Sequence, residues 1–151
     1  MKLIFISGPS GSGKTTLSNK LIKKNKNGFV LSTDNYYKTG LISKILSKFV
    51  EGFFDRSISF NDKLFKKDFN FIYKHGISKN DRYYDFKKKR IQNISNETNN
   101  ISFLIVEGIF AKEFAKTLNN QNYYFFRLRF FEFFSFQNYK NDYGLKFHSY
   151  K

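Results

Sequence analysis

Residues 8–15 read Gly8-Pro9-Ser10-Gly11-Ser12-Gly13-Lys14-Thr15, and this octapeptide decides the fold. It matches G-x-x-x-x-G-K-[ST] at every fixed position. Its context is as telling as its letters. The apolar run Lys2–Ser7 (KLIFIS) before it reads as a buried strand. Residues 15–26 after it read as a helix with Leu17, Leu21 and Ile22 on one face and Lys20, Lys23, Lys24 and Lys26 largely off it. Gly28 reads as the helix stop. Strand, glycine loop and helix in this order let backbone amides and a helix N-terminus cradle a polyphosphate. Gly8, Ser10, Gly11, Ser12, Gly13, Lys14, Thr15 and Thr16 are the expected nucleotide-binding residues, with Lys14 at the β- and γ-phosphates and the Thr15 hydroxyl on Mg²⁺. A glycine turn with an incidental lysine and threonine is the competing reading. Spacing and context together weigh against it.

Further along the chain, residues 29–32 (FVLS), 102–106 (SFLIV) and 123–129 (YYFFRLR) read as strands. Residues 61–75 read as a helix with Leu64, Phe65, Phe69 and Ile72 inward, and residues 111–118 as a short one. In residues 41–50 apolar pairs recur at helical spacing. The asparagine-rich stretch 93–100 (NISNETNN) reads as a surface loop. The alternation of strands and helices predicts an α/β protein with a parallel sheet, organised as one domain over residues 1–151.

Two carboxylates fall at predicted strand ends. Asp34 follows the second strand in Ser32-Thr33-Asp34-Asn35-Tyr36-Tyr37, and Glu107 ends the third in Ile105-Val106-Glu107-Gly108-Ile109. In an open parallel sheet, ligands bind beyond the carboxyl ends of the strands, so the phosphate loop, Asp34 and Glu107 are expected around one crevice. Phosphoryl transfer needs a place for the acceptor hydroxyl's proton and neutralisation of the phosphates. Asp34 suits the first task as a catalytic residue beside Lys14 and is a candidate metal ligand. Glu107 is a second candidate metal ligand with Thr15. The plainer alternatives are a helix-capping or turn role for Asp34 and a surface pairing with lysine for Glu107.

Composition narrows the field further. The absence of cysteine excludes disulfides and thiolate metal sites. No apolar run is long enough to cross a bilayer, and the stretch at residues 3–6 is too short for a signal-peptide core, so a cytoplasmic protein without membrane partners is expected. The 27 Lys and Arg against 12 Asp and Glu, formally +15, favour anionic partners. The basic residues are mostly lysine and spread along the chain, so nucleic acid is not the expected partner.

These residues together resemble the uridine kinase family among the P-loop kinases. The resemblance is carried by residues 8–15, by Ser32-Thr33-Asp34-Asn35-Tyr36-Tyr37, by Phe54-Asp55, by Tyr84-Asp85-Phe86 and by Glu107-Gly108-Ile109. It covers roughly residues 1–118. It implies a P-loop sheet flanked by helices, and transfer of the γ-phosphate of ATP or another triphosphate, with Mg²⁺, to the 5′-hydroxyl of uridine or cytidine. It further implies Asp34 as the catalytic carboxylate, Tyr37 as an acceptor contact, Asp55 on the sugar, Tyr84 on the nucleoside and Glu107 on the metal. Asp55 as a turn residue and Tyr84 as packed core remain open beside these roles. The resemblance leaves homo-oligomerisation open.

Three departures from the family pattern shape the expectation. Lys89 stands where the family has a base-reading histidine. It lies in Lys87-Lys88-Lys89-Arg90, which also reads as a solvated charged segment. Residues 130–142 (FFEFFSFQNYKND) lack the arginines of the family's phosphate-clamping lid, and arginine's planar fork is not replaced by phenylalanine or fully by lysine. The expected fold also lacks the family's last strand and helix, with residues 119–151 divergent. The expectation drawn from this is a kinase half followed by a truncated or frame-altered tail, with an exposed edge strand. Three alternatives stay alive: a catalytically impaired nucleotide-binding remnant, a related P-loop kinase acting on another hydroxyl such as that of pantothenate or a sugar, and a nucleic-acid binder.

Overall fold

A computed structural model of the chain describes residues 1–40, 45, 48–118 and 123–128. These residues form two compact units. One comprises Met1–Leu31 and the described residues from Ser102 onward; the other is Ser32–Ile101.

The first unit is built on a sheet whose strands are β1 (Lys2–Ser7), β2 (Gly28–Ser32), β5 (Phe103–Gly108) and β6 (Tyr124–Arg127), in the order β2-β5-β1-β6. β1 pairs in parallel with both β5 and β6. The central strands β1 and β5 are apolar almost throughout and buried on both faces, which is why they read as continuous hydrophobic runs rather than alternating ones. Helix α1 (Lys14–Lys24) covers one face. Its Leu17, Leu21 and Ile22 pack on Ile4, Ile6, Phe103, Ile105 and Leu128. Helix α3 (Ala111–Ala115) serves the other face, where Phe5 meets Phe114 and Tyr123 at centroid distances of 6.2 and 5.1 Å. The expected parallel sheet flanked by helices is the observed one.

Two details of this unit differ from expectation. α1 ends at Lys24 and is capped by Asn25, whose amide donates to the Ile22 carbonyl, and Gly28 opens β2 rather than stopping the helix. β6 ends at Arg127, shorter than the apolar run suggested, and stands at the edge of the described sheet with Tyr124 exposed. The lid-like and tail segment after Leu128 lies outside the described residues, as does most of residues 41–47.

The second unit holds α2 (Asp62–His75) and an antiparallel hairpin of β3 (Ser78–Asp85) and β4 (Arg90–Thr98). Asn61 caps α2: its side-chain oxygen accepts the Leu64 amide at 3.2 Å. Phe65, Phe69 and Ile72 bury the helix's apolar face as the spacing predicts, with Leu64 at its margin. The hairpin corrects the sequence reading. The stretch 93–100 is expected as a surface loop, but its residues 93–98 belong to strand β4. The strands are mostly polar and carry no regular apolar alternation, with Tyr83 and Ile94 exposed, so periodicity could not reveal them. Backbone pairing from Ser78↔Thr98 to Asp85↔Arg90 makes the structure instead.

Candidate functional site

The phosphate loop joins β1 to α1 in the first unit. Gly11 and Gly13 have φ of 78° and 86°, the left-handed region that side chains avoid, and Gly13 caps α1 in that conformation. The Pro9 carbonyl closes the loop by accepting the Ser12 amide at 3.2 Å and the Lys14 ammonium at 2.9 Å. Lys14 is buried, so its charge is held inside the loop rather than spread into solvent. The Ser12 hydroxyl is buried and meets no hydrogen-bond partner among the described residues. Ser10, Thr15 and Thr16 are exposed, the threonines on the first turn of α1, where backbone amides lack intrahelical acceptors.

Gly8 is needed for room. A Cβ there would sit 2.7 Å from both the Leu128 carbonyl oxygen and the Ser12 hydroxyl. The carbonyl belongs to the chain leaving β6, whose Leu128 amide donates to the Ser7 carbonyl at 2.7 Å, so it has little freedom to retreat. Gly8→Ala is expected to cost about 1–3 kcal/mol of stability and to weaken triphosphate binding, measured by denaturant melts alongside calorimetric titration with ATP.

Glu107 lies on β5 with Ile6 as its register partner on β1, two residues ahead of the phosphate loop. It is only 3% exposed. The carboxylate therefore sits within the sheet rather than at the surface. Arg127 is exposed at the end of β6 and pairs in register with Ser7. Arg129 lies outside the described residues. A left-handed glycine cradle, a buried ammonium, a buried hydroxyl awaiting a partner and the oxygen donors Thr15 and Glu107 suit a triphosphate with Mg²⁺, a hard cation commonly held by one or two protein oxygens plus phosphates. Among the described residues no cluster of three or more His, Cys, Asp or Glu forms a metal cage, and no helix is long and apolar enough to cross a membrane.

In the second unit, Asp34 sits in a 3-10 turn, Thr33–Asn35, directly after β2. Ser32 takes the capping position, so Asp34 is not the cap. Its carboxylate accepts the Thr33 hydroxyl at 3.3 Å. Asn35 reaches across to β3, its side-chain oxygen accepting the Tyr84 amide at 3.3 Å. Tyr37 and Tyr84 come together with Phe54 and Phe86 in one aromatic cluster. Tyr37 lies 5.1 Å from both Tyr84 and Phe54 and 5.6 Å from Phe86, all edge to face. Tyr84 is 1% exposed, and burial pushes its hydroxyl above the ordinary phenol range. Its ring is packed within this cluster. Phe86 is the cluster's open ring, 52% exposed. Asp55 closes the 3-10 turn Phe53–Asp55 beside Phe54.

Lys89 lies in the tip of the β3–β4 hairpin with φ of 49°, a left-handed turn position. The tip is shaped by Asp85, which accepts the Lys88 amide at 2.9 Å and the Gln92 side chain at 3.2 Å. The Lys88 amide, before other contacts, holds the Asp85 carboxyl below the ordinary value of 3.8. The ionised form is the one the fold prefers. Its contribution is fully present above the ordinary value and is lost as pH falls through the lower, folded one. Protection of the Lys88 amide, taken against its intrinsic exchange rate at each pH, is expected to fall on acidification below about pH 4, and Asp85→Ala to show the lower protection already at neutral pH.

Sequence reasoning missed Asp68 and Arg82. Asp68 on α2 accepts the Tyr36 hydroxyl at 2.9 Å and takes a two-point ion pair from Arg82 of β3 through Nε and, at 3.2 Å, a terminal nitrogen. Arg82 also donates to the Asn93 side chain at 2.6 Å and lies 5.9 Å from the Tyr36 ring centroid. Burial, then Asp68, pushes the Tyr36 hydroxyl well above the phenol range. Only one signal was available: Asp68 is a charge on the stripe Phe65, Phe69, Ile72.

Comparison with known proteins accords with this geometry. The model of the Phosphoribulokinase / Uridine kinase family matches residues 3–123. A uridine kinase of Borrelia duttonii is 34% identical over 120 residues, which is 78% of this chain and 57% of that protein. One from Ureaplasma parvum is 30% identical over 113 residues, 72% of this chain and 53% of that protein. The chain thus spans little more than half the length of these relatives. Among solved structures, one from Silicibacter sp. TM1040, presented as a candidate fructose transport system kinase, superposes with a TM-score of 0.56 at 21% identity, over 72% of this chain and 54% of that one. Another from Bacillus stearothermophilus, presented as a possible uridine kinase, gives 0.54 at 18%, over 72% and 61%. At these identities the structures speak to the fold alone, while the family match spans most of the chain and includes both the phosphate loop and the carboxylates at the ends of its strands. The chain belongs to the phosphoribulokinase/uridine kinase family.

Proposed function

We propose that the protein is a nucleoside kinase, moving the γ-phosphate of ATP or a related triphosphate to the 5′-hydroxyl of uridine or cytidine. The observation that carries this reading is the phosphate loop: left-handed glycines, a Pro9 carbonyl closing the turn and a buried Lys14 ammonium. Its amides and Lys14 bind and orient the triphosphate. Thr15 and Glu107 are the residues that would hold Mg²⁺, with Asp34 as a further candidate, and the ion when bound neutralises phosphate charge. Asp34 accepts the proton of the attacking hydroxyl as general base. Tyr37, Asp55, Tyr84 and Lys89 form the acceptor side. Tyr84 acts there by packing Tyr37 and Phe86, and the open Phe86 ring supports an acceptor with a flat base.

Lys89 favours keeping one alternative, a kinase for another small-molecule hydroxyl. An ammonium cannot alternate between donor and acceptor as imidazole does. A coupled assay with Mg·ATP against uridine, cytidine, pantothenate and simple sugars decides between them. The expected result is phosphorylated uridine or cytidine. Product from pantothenate or a sugar alone would transfer the assignment to that acceptor. ATP binding with no product from any of them would make the protein a nucleotide binder without turnover. The reading also expects a soluble cytoplasmic enzyme, with homo-oligomerisation open to light scattering.

A further inference from the structure

The turn that carries Asp34 is held from three directions within its own unit. The Tyr36 carbonyl accepts the Asn61 amide at 2.7 Å, and Lys38 donates its amide to Ser59 at 2.6 Å, which ties the turn to the start of α2. Asn35 binds the backbone of β3 at Tyr84. The third hold is made by side chains alone: Tyr36 to Asp68, and Asp68 to Arg82. The Arg82 and Asp68 side chains are 15% and 20% exposed, so both charges are largely withdrawn from water. A largely buried ion pair is a poor source of stability, since desolvation offsets most of its attraction and a well-packed apolar trio of similar volume commonly matches or exceeds it. What such a pair supplies is direction. The planar guanidinium fixes the carboxylate in two points, and the carboxylate then fixes one phenol hydroxyl.

We infer that Asp68 and Arg82 are positioning residues: through the Tyr36 hydroxyl they set the orientation of the 3-10 turn, and with it Asp34 on one side and Tyr37 on the other. This rests on the reading of Asp34 as the base that receives the acceptor's proton. Both are assigned to act through Tyr36, by the contacts they make within the protein. Misplacing a reacting group by about 1 Å costs on the order of 100-fold in rate, so a clamp on the turn is worth far more to turnover than to folding.

The test separates orientation from stability. Tyr36→Phe removes only the hydroxyl. The triple variant Tyr36→Phe, Asp68→Leu, Arg82→Met replaces the whole polar cluster by apolar groups, so that no buried polar group is left unpaired. Both are expected to melt within a few degrees of wild type or above it, to keep ATP affinity within about twofold, and to lose roughly 10- to 100-fold in kcat with the best acceptor. Arg82→Lys keeps the charge but not the two-point contact and is expected to resemble the triple variant in kcat. Amide exchange over residues 33–38 should quicken in each. A folded triple variant with wild-type kcat overturns the inference. Should wild type transfer phosphate to no acceptor, the kinase reading falls by itself, and the exchange measurement alone decides the clamp: unchanged exchange at residues 33–38 in Tyr36→Phe overturns it, and faster exchange sustains it.

Discussion

Asp34→Asn is expected to reduce kcat by about 10²- to 10⁴-fold, the usual contribution of a positioned general base, while ATP affinity stays near wild type. The substitution is nearly isosteric, and the amide oxygen can still accept the Thr33 hydroxyl that the carboxylate accepts at 3.3 Å. The 3-10 turn Thr33–Asn35 therefore keeps its local contacts, and its backbone bond from the Tyr36 amide to the Thr33 carbonyl does not involve the carboxylate. What is lost is the capacity to take a proton. Steady-state kinetics with uridine or cytidine, paired with calorimetric titration of ATP, separates the two effects. Unchanged turnover in a folded Asp34→Asn variant would remove Asp34 from the mechanism. A parallel loss of ATP affinity would instead assign it to the metal site.

Lys14→Ala is expected to damage binding and transfer together. The Lys14 ammonium is buried inside the phosphate loop and donates to the Pro9 carbonyl, the same acceptor that receives the Ser12 amide. Its removal deletes the one side-chain cation of the loop and loosens the turn that aims the amides. Losses on the order of 10²- to 10³-fold in kcat/KM are expected, the scale of one preorganised donor to developing charge, together with a clear rise in the ATP dissociation constant. The contrast between the variants is itself diagnostic. If both lose turnover but only Lys14→Ala loses ATP affinity, then phosphate binding belongs to the first unit's loop and proton removal to the second unit's turn.

The phosphate loop of the first unit and the turn and hairpin of the second were legible to different degrees. The phosphate side could be read because its chemistry is local. Eight consecutive residues supply the glycine conformations, the ammonium and the helix start, and the strand before them is buried on both faces. Glu107 was readable as a carboxylate at the end of an apolar strand, and its burial against β1 followed from the parallel sheet. Leu17, Leu21 and Ile22 of α1 and Phe65, Phe69 and Ile72 of α2 were found by spacing because each lies on one helix face.

The second unit was less legible. The β3–β4 hairpin is polar, exposed along much of its length and joined by a charged tip, so the stretch 93–100 looked like a loop. Tyr36 stood in a recognised motif, yet its task depends on Asp68, 32 residues away, and on Arg82, 14 residues further on. No periodicity links such positions, and a charge on a helix's apolar stripe announces only that some partner exists. Tyr84 looked equally suited to packing and to contact until its ring was found buried among Tyr37, Phe54 and Phe86.

By itself, then, the amino-acid sequence determined the parallel sheet and the phosphate loop, and the placement of Lys14 in that loop, Asp34 after β2 and Glu107 at the end of β5, because these depend on short-range conformation and on the continuous burial of β1 and β5. The tertiary structure alone decided which aromatic rings share a cluster, how the hairpin pairs, and that Asp68 and Arg82 grip the turn carrying Asp34. Those outcomes rest on pairings between distant segments. Their desolvation and geometry exist only once α2, β3 and the turn have come together.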